Sequence, residues 1–270
     1  EMCIRDSLCG VRQGCVIAPL LFNVYMDFVL RDALASAEQE LGRAPGVQLL
    51  VGQAECRSLS CILYADDLAL LCSTVSELRV VMRHLHAATG TWCLCINASK
   101  TEVVVFGGPE SNSEAALAKR AAAMRAELAA EPIMLGHEAL PVVESFKYLG
   151  SWVHRTGSAD KEVSVRRGRG LGVFASFEGV WANRAMGVHA KASIYKAFVL
   201  PHFLYGSECL NCTEKHESTL AAAHNSCLRR ILGVRLRERH SNEHVWASVG
   251  VPSLQLLLAR RRLTWAGHVF

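Results

Sequence analysis

Asp66 and Asp67 stand side by side in the stretch Cys61-Ile62-Leu63-Tyr64-Ala65-Asp66-Asp67-Leu68-Ala69-Leu70. Like charges repel, and a carboxylate taken out of water without a partner is costly. A cation answers both objections. Hard carboxylate oxygens suit Mg2+, with Mn2+ as the alternative, and such an ion keeps waters that substrate phosphates can replace. Two such ions about 4 Å apart activate an attacking oxygen and stabilise a leaving one. The paired acids are therefore one half of a phosphoryl-transfer site. Acid pairs also occur as solvated turns, but a solvated turn rarely needs apolar arms on both sides.

The elements around the pair fit that role. Residues 59–72 read as two buried arms with the acids at their bend, since Asp tolerates turn geometry. Upstream, Pro19 suits the first turn of a broad-faced helix running to about Glu40 and ended by Gly42, Pro45 and Gly46. Residues 47–51 read as a strand. Downstream, Thr74-Val75-Ser76-Glu77 fits a capping box, and Leu78, Val81, Met82 and Leu85 recur at helical spacing up to a stop signal at Gly90. Cys93–Asn97 and Glu102–Phe106 read as strands, and residues 111–130 as an Ala- and Glu-rich helix. A hairpin turning at Gly136-His137 leads to Phe146-Lys147-Tyr148-Leu149-Gly150. Beyond Gly157 the pattern is helical, over about 159–182, 187–205, 214–233 and 253–268. A mixed α/β part thus precedes an all-helical part, with the boundary near Ser151–Gly157.

Charge divides the chain at about the same place. Residues 1–146 hold 11 Lys and Arg against 17 Asp and Glu, a net −6. Residues 147–270 hold 18 against 8, a net +10. A basic half points to a polyanion, most commonly nucleic acid. Arg166, Arg167, Arg169, Arg229 and Arg230 are the candidate contacts, and a solvated helical face is the alternative for any one cluster. At 270 residues and 51% hydrophobic, the chain can bury one large core or two modest ones. No apolar run reaches membrane-spanning length, and the start has no signal-peptide core, so an intracellular location is expected. The 11 cysteines are scattered and odd in number, as in a reducing compartment. Cys209, Cys212, His224 and Cys227 have a spacing that could clasp zinc; the alternative is a turn followed by a helix that carries His and Cys.

Four motifs in order carry a resemblance. Tyr64-Ala65-Asp66-Asp67 looks like the catalytic tetrapeptide of reverse transcriptases. Gly10-Val11-Arg12-Gln13-Gly14-Cys15 through Asn23 resembles their template- and nucleotide-contacting segment. Asn97-Ala98-Ser99-Lys100-Thr101 is similar to their lysine-bearing loop, and Phe146-Lys147-Tyr148-Leu149-Gly150 to their primer-grip hairpin. The best match is to non-LTR, LINE-type retroelement enzymes. Leu204-Tyr205-Gly206-Ser207-Glu208, Cys227 to Gly233 and Arg261 to Val269 look like the region after the palm in those elements.

The resemblance implies an α+β fold: a partial palm, with a small antiparallel sheet packed on helices, over residues 9–153, then a helical, basic, thumb-like region over 154–270. Residues 1–8 read as a non-native scar. It implies Asp66 and Asp67 as metal ligands and Lys100 as a general acid for the departing pyrophosphate. Gln13, Gly14, Tyr64 and Ala65 would meet template, nucleotide and primer. The implied partners are an RNA template, a DNA primer and dNTPs, with the nucleus as the place of action. The family also needs a further Asp on a strand before the Gln13-Gly14 motif. Asp6 is the one candidate there, and it lies too close to Gln13. The chain thus reads as the back half of a polymerase, inactive alone. A nucleic-acid-binding remnant and a decayed reading frame are the competing readings.

Overall fold

The computed structural model describes residues 16–51, 55–107 and 115–269. The 1–8 segment and the motif residues Gln13 and Gly14 lie outside them. The chain forms two compact units, divided between Glu144 and Ser145. Small antiparallel hairpins and many helices make an α+β fold.

The first unit opens with helix α1 (Ala18–Leu41), which has Pro19 in its first turn and Gly42 at φ 66 as its left-handed stop. Strands β1 (Val47–Val51) and β2 (Glu55–Leu59) form one hairpin, and β3 (Cys61–Tyr64) and β4 (Asp67–Leu70) the next. Helix α2 (Val75–Thr91) begins at Thr74, whose hydroxyl accepts from the Glu77 N–H at 3.1 Å. Glu77 does not complete the capping box. Its carboxylate, only 1% exposed, accepts instead from the amides of Gly46 (2.6 Å) and Ser73 (2.9 Å) and from Arg43 (3.2 Å). One buried acid thus ties the end of α1 and the start of β1 to α2.

Val29, Leu30 and Ala33 of α1 meet Leu85 and Ala88 of α2 in a core that also takes Cys61, Leu63, Leu68 and Leu70. Each fully buried aliphatic side chain there is worth about 1.5–3 kcal/mol. The far side of α1 is different. Ile17, Leu20, Leu21, Val24 and Phe28 recur at helical spacing and are all about half exposed or more. A second cluster joins Val75 and Met82 to Val103, Val105, helix α3 (Ala115–Ala130) and the short hairpin β5 (Met134–Leu135) and β6 (Glu138–Ala139).

Two local expectations need correction. Gly90 does not stop α2; the helix runs through Thr91, and the reversal comes at Cys93 (φ 54), with the Leu94 N–H reaching the Thr89 carbonyl at 2.8 Å. Cys93–Asn97 and Glu102–Phe106 are not ladder strands. Among the described residues they join no ladder, and Val103 makes one isolated bridge, to Val142. Their alternation reflects Val103 and Val105 packing into the core, not strand pairing.

The second unit begins with the hairpin β7 (Ser145–Tyr148) and β8 (Ser151–His154). Helices α4 (Asp160–Ser176), α5 (Glu178–Ala182) and α6 (Val188–Ile194) follow. A π turn (Tyr195–Val199) joins α6 to α7 (Leu200–Leu204). Then come α8 (Glu214–Leu232), α9 (Asn242–Val249) and α10 (Leu254–Val269). Helix α9 is absent from the sequence reading; Ser241 caps it by accepting from the His244 N–H at 3.2 Å. The core runs through Phe174, Trp181, Tyr195, Phe203, Leu220, Leu228, Val249 and Leu254. The units divide just before the β7–β8 hairpin, a few residues ahead of the Ser151–Gly157 boundary expected from the sequence. The reason is polar: the Trp152 N–H donates to Glu162 of α4 at 2.8 Å. No helix among the described residues is long and apolar enough to cross a membrane.

Candidate active site

The acid pair sits at a hairpin tip. Tyr64 pairs with Asp67, so Ala65 and Asp66 alone make the turn. Ala65 has φ 53 and Asp66 has no positive φ, the pattern of a type II′ turn, which suits the twist of a two-residue hairpin. Gly is the usual residue at that position. A Cβ there is strained by roughly 1 kcal/mol, and such strain persists only where the surroundings impose it.

The surroundings are the two arms. Cys61, Leu63, Leu68 and Leu70 face α1 and α2, which anchors the tip. The arms are not buried on both faces, as the run of apolar residues implied. Ile62 is 44% and Tyr64 64% exposed, and Tyr64 shares this open face with its cross-strand partner Asp67. Asp66 and Asp67 are both exposed. Their carboxylate oxygens are hard donors, of the kind Mg2+ takes. Among the described residues, no group of three or more Asp, Glu, His or Cys could hold a metal ion.

Lys100 lies in a single 3-10 turn (Ala98–Lys100) organised by Asn97. The Asn97 carbonyl accepts from the Lys100 N–H (3.1 Å) and the Thr101 hydroxyl (2.9 Å), and its side-chain oxygen accepts from Ser99 (2.7 Å). The Lys100 side chain is exposed, with no partner among the described residues. Ile96, just upstream, packs into the same core as Leu63 and Leu68. Loop and acid hairpin therefore share one foundation.

The Phe146–Gly150 motif lies in the β7–β8 hairpin of the second unit. Leu149 (φ 46) and Gly150 (φ 84) are its two turn residues, the type I′ pattern. Lys147 and Leu149 are exposed; Phe146 and Tyr148 are half-buried, with ring centroids 6.4 Å apart.

The arginines expected to meet nucleic acid divide sharply. Arg166 is 3% exposed and bonded to Glu162 inside the fold, so it is not a surface contact. Arg229 is half-buried and donates to the His240 carbonyl and to Asn242, tying α8 to α9. Arg230 is ion-paired with Glu178. Arg167 and Arg169 are exposed, but two residues apart on a helix they point to opposite sides. Arg235, Arg237 and Arg239, between α8 and α9, also belong to the basic half of the sequence, and all three are exposed.

The Cys209, Cys212, His224 and Cys227 set does not assemble as a cation site. Cys209 is exposed and Cys227 buried. Both His224 nitrogens are engaged, by the Tyr195 hydroxyl and the Pro252 carbonyl. Burial pushes the Cys227 thiol up to about 12, and no group of three or more His, Cys, Asp or Glu among the described residues could hold a metal ion.

The family model for reverse transcriptase (RNA-dependent DNA polymerase) matches residues 3–153. No curated protein and no solved structure matches the chain. That match takes in the Asp66–Asp67 hairpin, the Lys100 loop and the Phe146–Gly150 turn, and covers more than half of the sequence: the chain belongs to the reverse transcriptase family.

Proposed function

We propose that this chain is part of an RNA-directed DNA polymerase of a non-LTR retroelement, adding nucleotides from dNTPs to the 3′ hydroxyl of a DNA primer on an RNA template. The observation that carries the reading is the strained two-residue turn that presents Asp66 and Asp67, exposed, on arms rooted in the α1–α2 core.

In this reading Asp66 and Asp67 hold Mg2+. Bound there, the ion supplies charge neutralisation at the transferring phosphate. Tyr64, on the open face beside Asp67, supports the primer end. Lys100 brings a proton or a positive charge to the pyrophosphate that leaves. Gln13 and Gly14 meet the template–nucleotide pair, where Gly permits close backbone approach. Positioning and charge stabilisation supply most of the catalysis in phosphoryl transfer.

Two open surfaces among the described residues are in keeping with this reading. Among the described residues the β3–β4 hairpin has no third strand, although it presents a half-exposed Ile62–Tyr64 face. The apolar stripe of α1 is likewise uncovered. The test is primer extension by this chain joined to the upstream segment of a related reverse transcriptase that carries a further Asp. Extension with Mg2+ is expected, falling at least about 100-fold in Asp66→Asn or Asp67→Asn. Extension that survives both changes overturns the reading. Salt-dependent duplex binding without extension would favour the non-catalytic remnant instead.

A further inference from the structure

The turn Leu149–Gly150 is held from two helices at once. Tyr205, at the end of α7, donates its hydroxyl to the Leu149 carbonyl at 2.6 Å. Arg166, on α4, donates through Nη2 to the next carbonyl, that of Gly150, at 3.0 Å, and to the Ser151 hydroxyl at 3.2 Å. The two holders are themselves joined, because the Arg166 guanidinium lies 4.4 Å over the Tyr205 ring. Arg166 is oriented in turn by Glu162, one helical turn earlier. Glu162 accepts from Arg166 Nε through one oxygen and from the Trp152 N–H through the other, at 2.8 Å.

Stability alone does not explain this arrangement. A buried ion pair gains little over packed apolar residues, and its best-attested use is to fix geometry. The turn also carries Leu at φ 46, where Asn or Gly is preferred. Both turn carbonyls accept hydrogen bonds from helix side chains, one short and one charge-assisted, which restrains their peptide planes. Gly150 is required twice over: its φ is 84, and a Cβ would come within 3.0 Å of the Tyr205 hydroxyl. The exposed groups left at the tip are Leu149 and, on the adjoining strand, Lys147, whose ammonium has no ion-pair partner among the described residues. A rigid turn beside an unpaired cation suits a phosphodiester backbone.

We propose that Arg166 and Tyr205 are positioning residues that lock the Leu149–Gly150 turn into a rigid ledge for the primer strand near its 3′ end. This rests on the polymerase reading above. The experiment measures, by fluorescence anisotropy, the affinity of the full chain for an RNA–DNA hybrid with a recessed 3′ end and for a continuous hybrid of equal length. Wild type is expected to prefer the recessed end. Tyr205→Phe keeps the ring over Arg166 and removes one hydroxyl; it is expected to cut that preference about fivefold. Arg166→Lys keeps the charge beside Glu162 but loses the fork, and is expected to cut it at least as far. Hydrogen exchange at the Ser151 and Trp152 amides should rise in both variants. A preference that both variants retain overturns this inference and leaves the polymerase reading standing. So does a parallel loss for both hybrids that tracks a fall in melting temperature, since that marks a merely structural role. A wild type that binds both hybrids alike overturns the polymerase reading, and this inference with it.

Discussion

Tyr195 donates its hydroxyl hydrogen bond to Nδ1 of His224, 2.7 Å away, with both side chains fully buried in the second unit. The donor is settled by the other nitrogen: Nε2 lies 3.1 Å from the Pro252 carbonyl, which can only accept, so Nε2 carries the proton. The ring is held neutral. Burial pushes His224 down to about 4 from an ordinary 6.5, partly opposed by the Pro252 carbonyl. Because the folded pKa is depressed, the unfolded chain binds the proton first. The stability contributed is full above about pH 6.5 and is lost as pH falls towards 4, amounting to on the order of 2 kcal/mol by pH 5. Urea unfolding at pH 7 and pH 5, followed by Trp fluorescence, should show that drop. His224→Gln should flatten it.

Glu77 is the corresponding buried acid of the first unit. Burial raises its pKa, but the Gly46 and Ser73 amides and Arg43 outweigh that, and the net direction is down. Glu77→Gln leaves one acceptor oxygen for the Gly46 and Ser73 amides, which now use two, and turns an NH2 towards the other donor. A loss of about 3 kcal/mol is expected. Thermal unfolding of the variant checks it, and a loss below about 1 kcal/mol would contradict the pinning role.

Ala65→Gly should stabilise the acid hairpin, because it removes the Cβ from a φ of 53. The gain is capped near 1 kcal/mol by the greater freedom of Gly in the unfolded chain. Denaturant midpoints of the two proteins compare them directly. A loss of stability would mean the turn is not strained.

Asp66→Asn and Asp67→Asn should leave the melting temperature within the equivalent of about 0.5 kcal/mol, since both side chains are exposed and carry no structural partner among the described residues. A large fall would make the acids structural. The chain by itself should show no measurable extension with primer, template, dNTPs and Mg2+, since two-metal catalysis needs a fuller carboxylate set. Extension by the bare chain that Asp66→Asn abolishes would refute that.

Duplex binding should weaken steeply with salt, with a log–log slope of about −0.9 for each phosphate contacted on B-DNA. Changing Arg235, Arg237 and Arg239 to Gln should flatten the slope. Changing Arg230 should matter less, since Glu178 already occupies it. Titrations at several ionic strengths separate the two cases.

The hairpin under Asp66 and Asp67 was legible in the sequence because two apolar arms meeting at a two-residue bend leave few other folds. Helices α1 and α2 were legible through Pro19, Gly42 and Thr74, which act within one turn of themselves. What escaped is long-range. A run of arginines does not by itself say that Arg166 turns inward while Arg167 turns out. Glu162 and Arg166 do stand four apart, the spacing of a helical ion pair, and that signal was available. The runs around Val103 and Val105 show the same limit: alternation records burial, not which partner supplies the hydrogen bonds. Tyr205 stood inside a recognised motif, but its target, 56 residues upstream, is a product of the fold.

The uncovered stripe Ile17, Leu20, Leu21, Val24 and Phe28 has a practical outcome for anyone producing the chain alone. Five apolar side chains along one helix face behave as a surfactant surface, and copies that meet will bury those faces against each other. Soluble yield should therefore meet a concentration ceiling well before folding fails, and raising salt to screen the basic half would lower that ceiling further. Replacing Leu20 and Val24 with Glu should lift it.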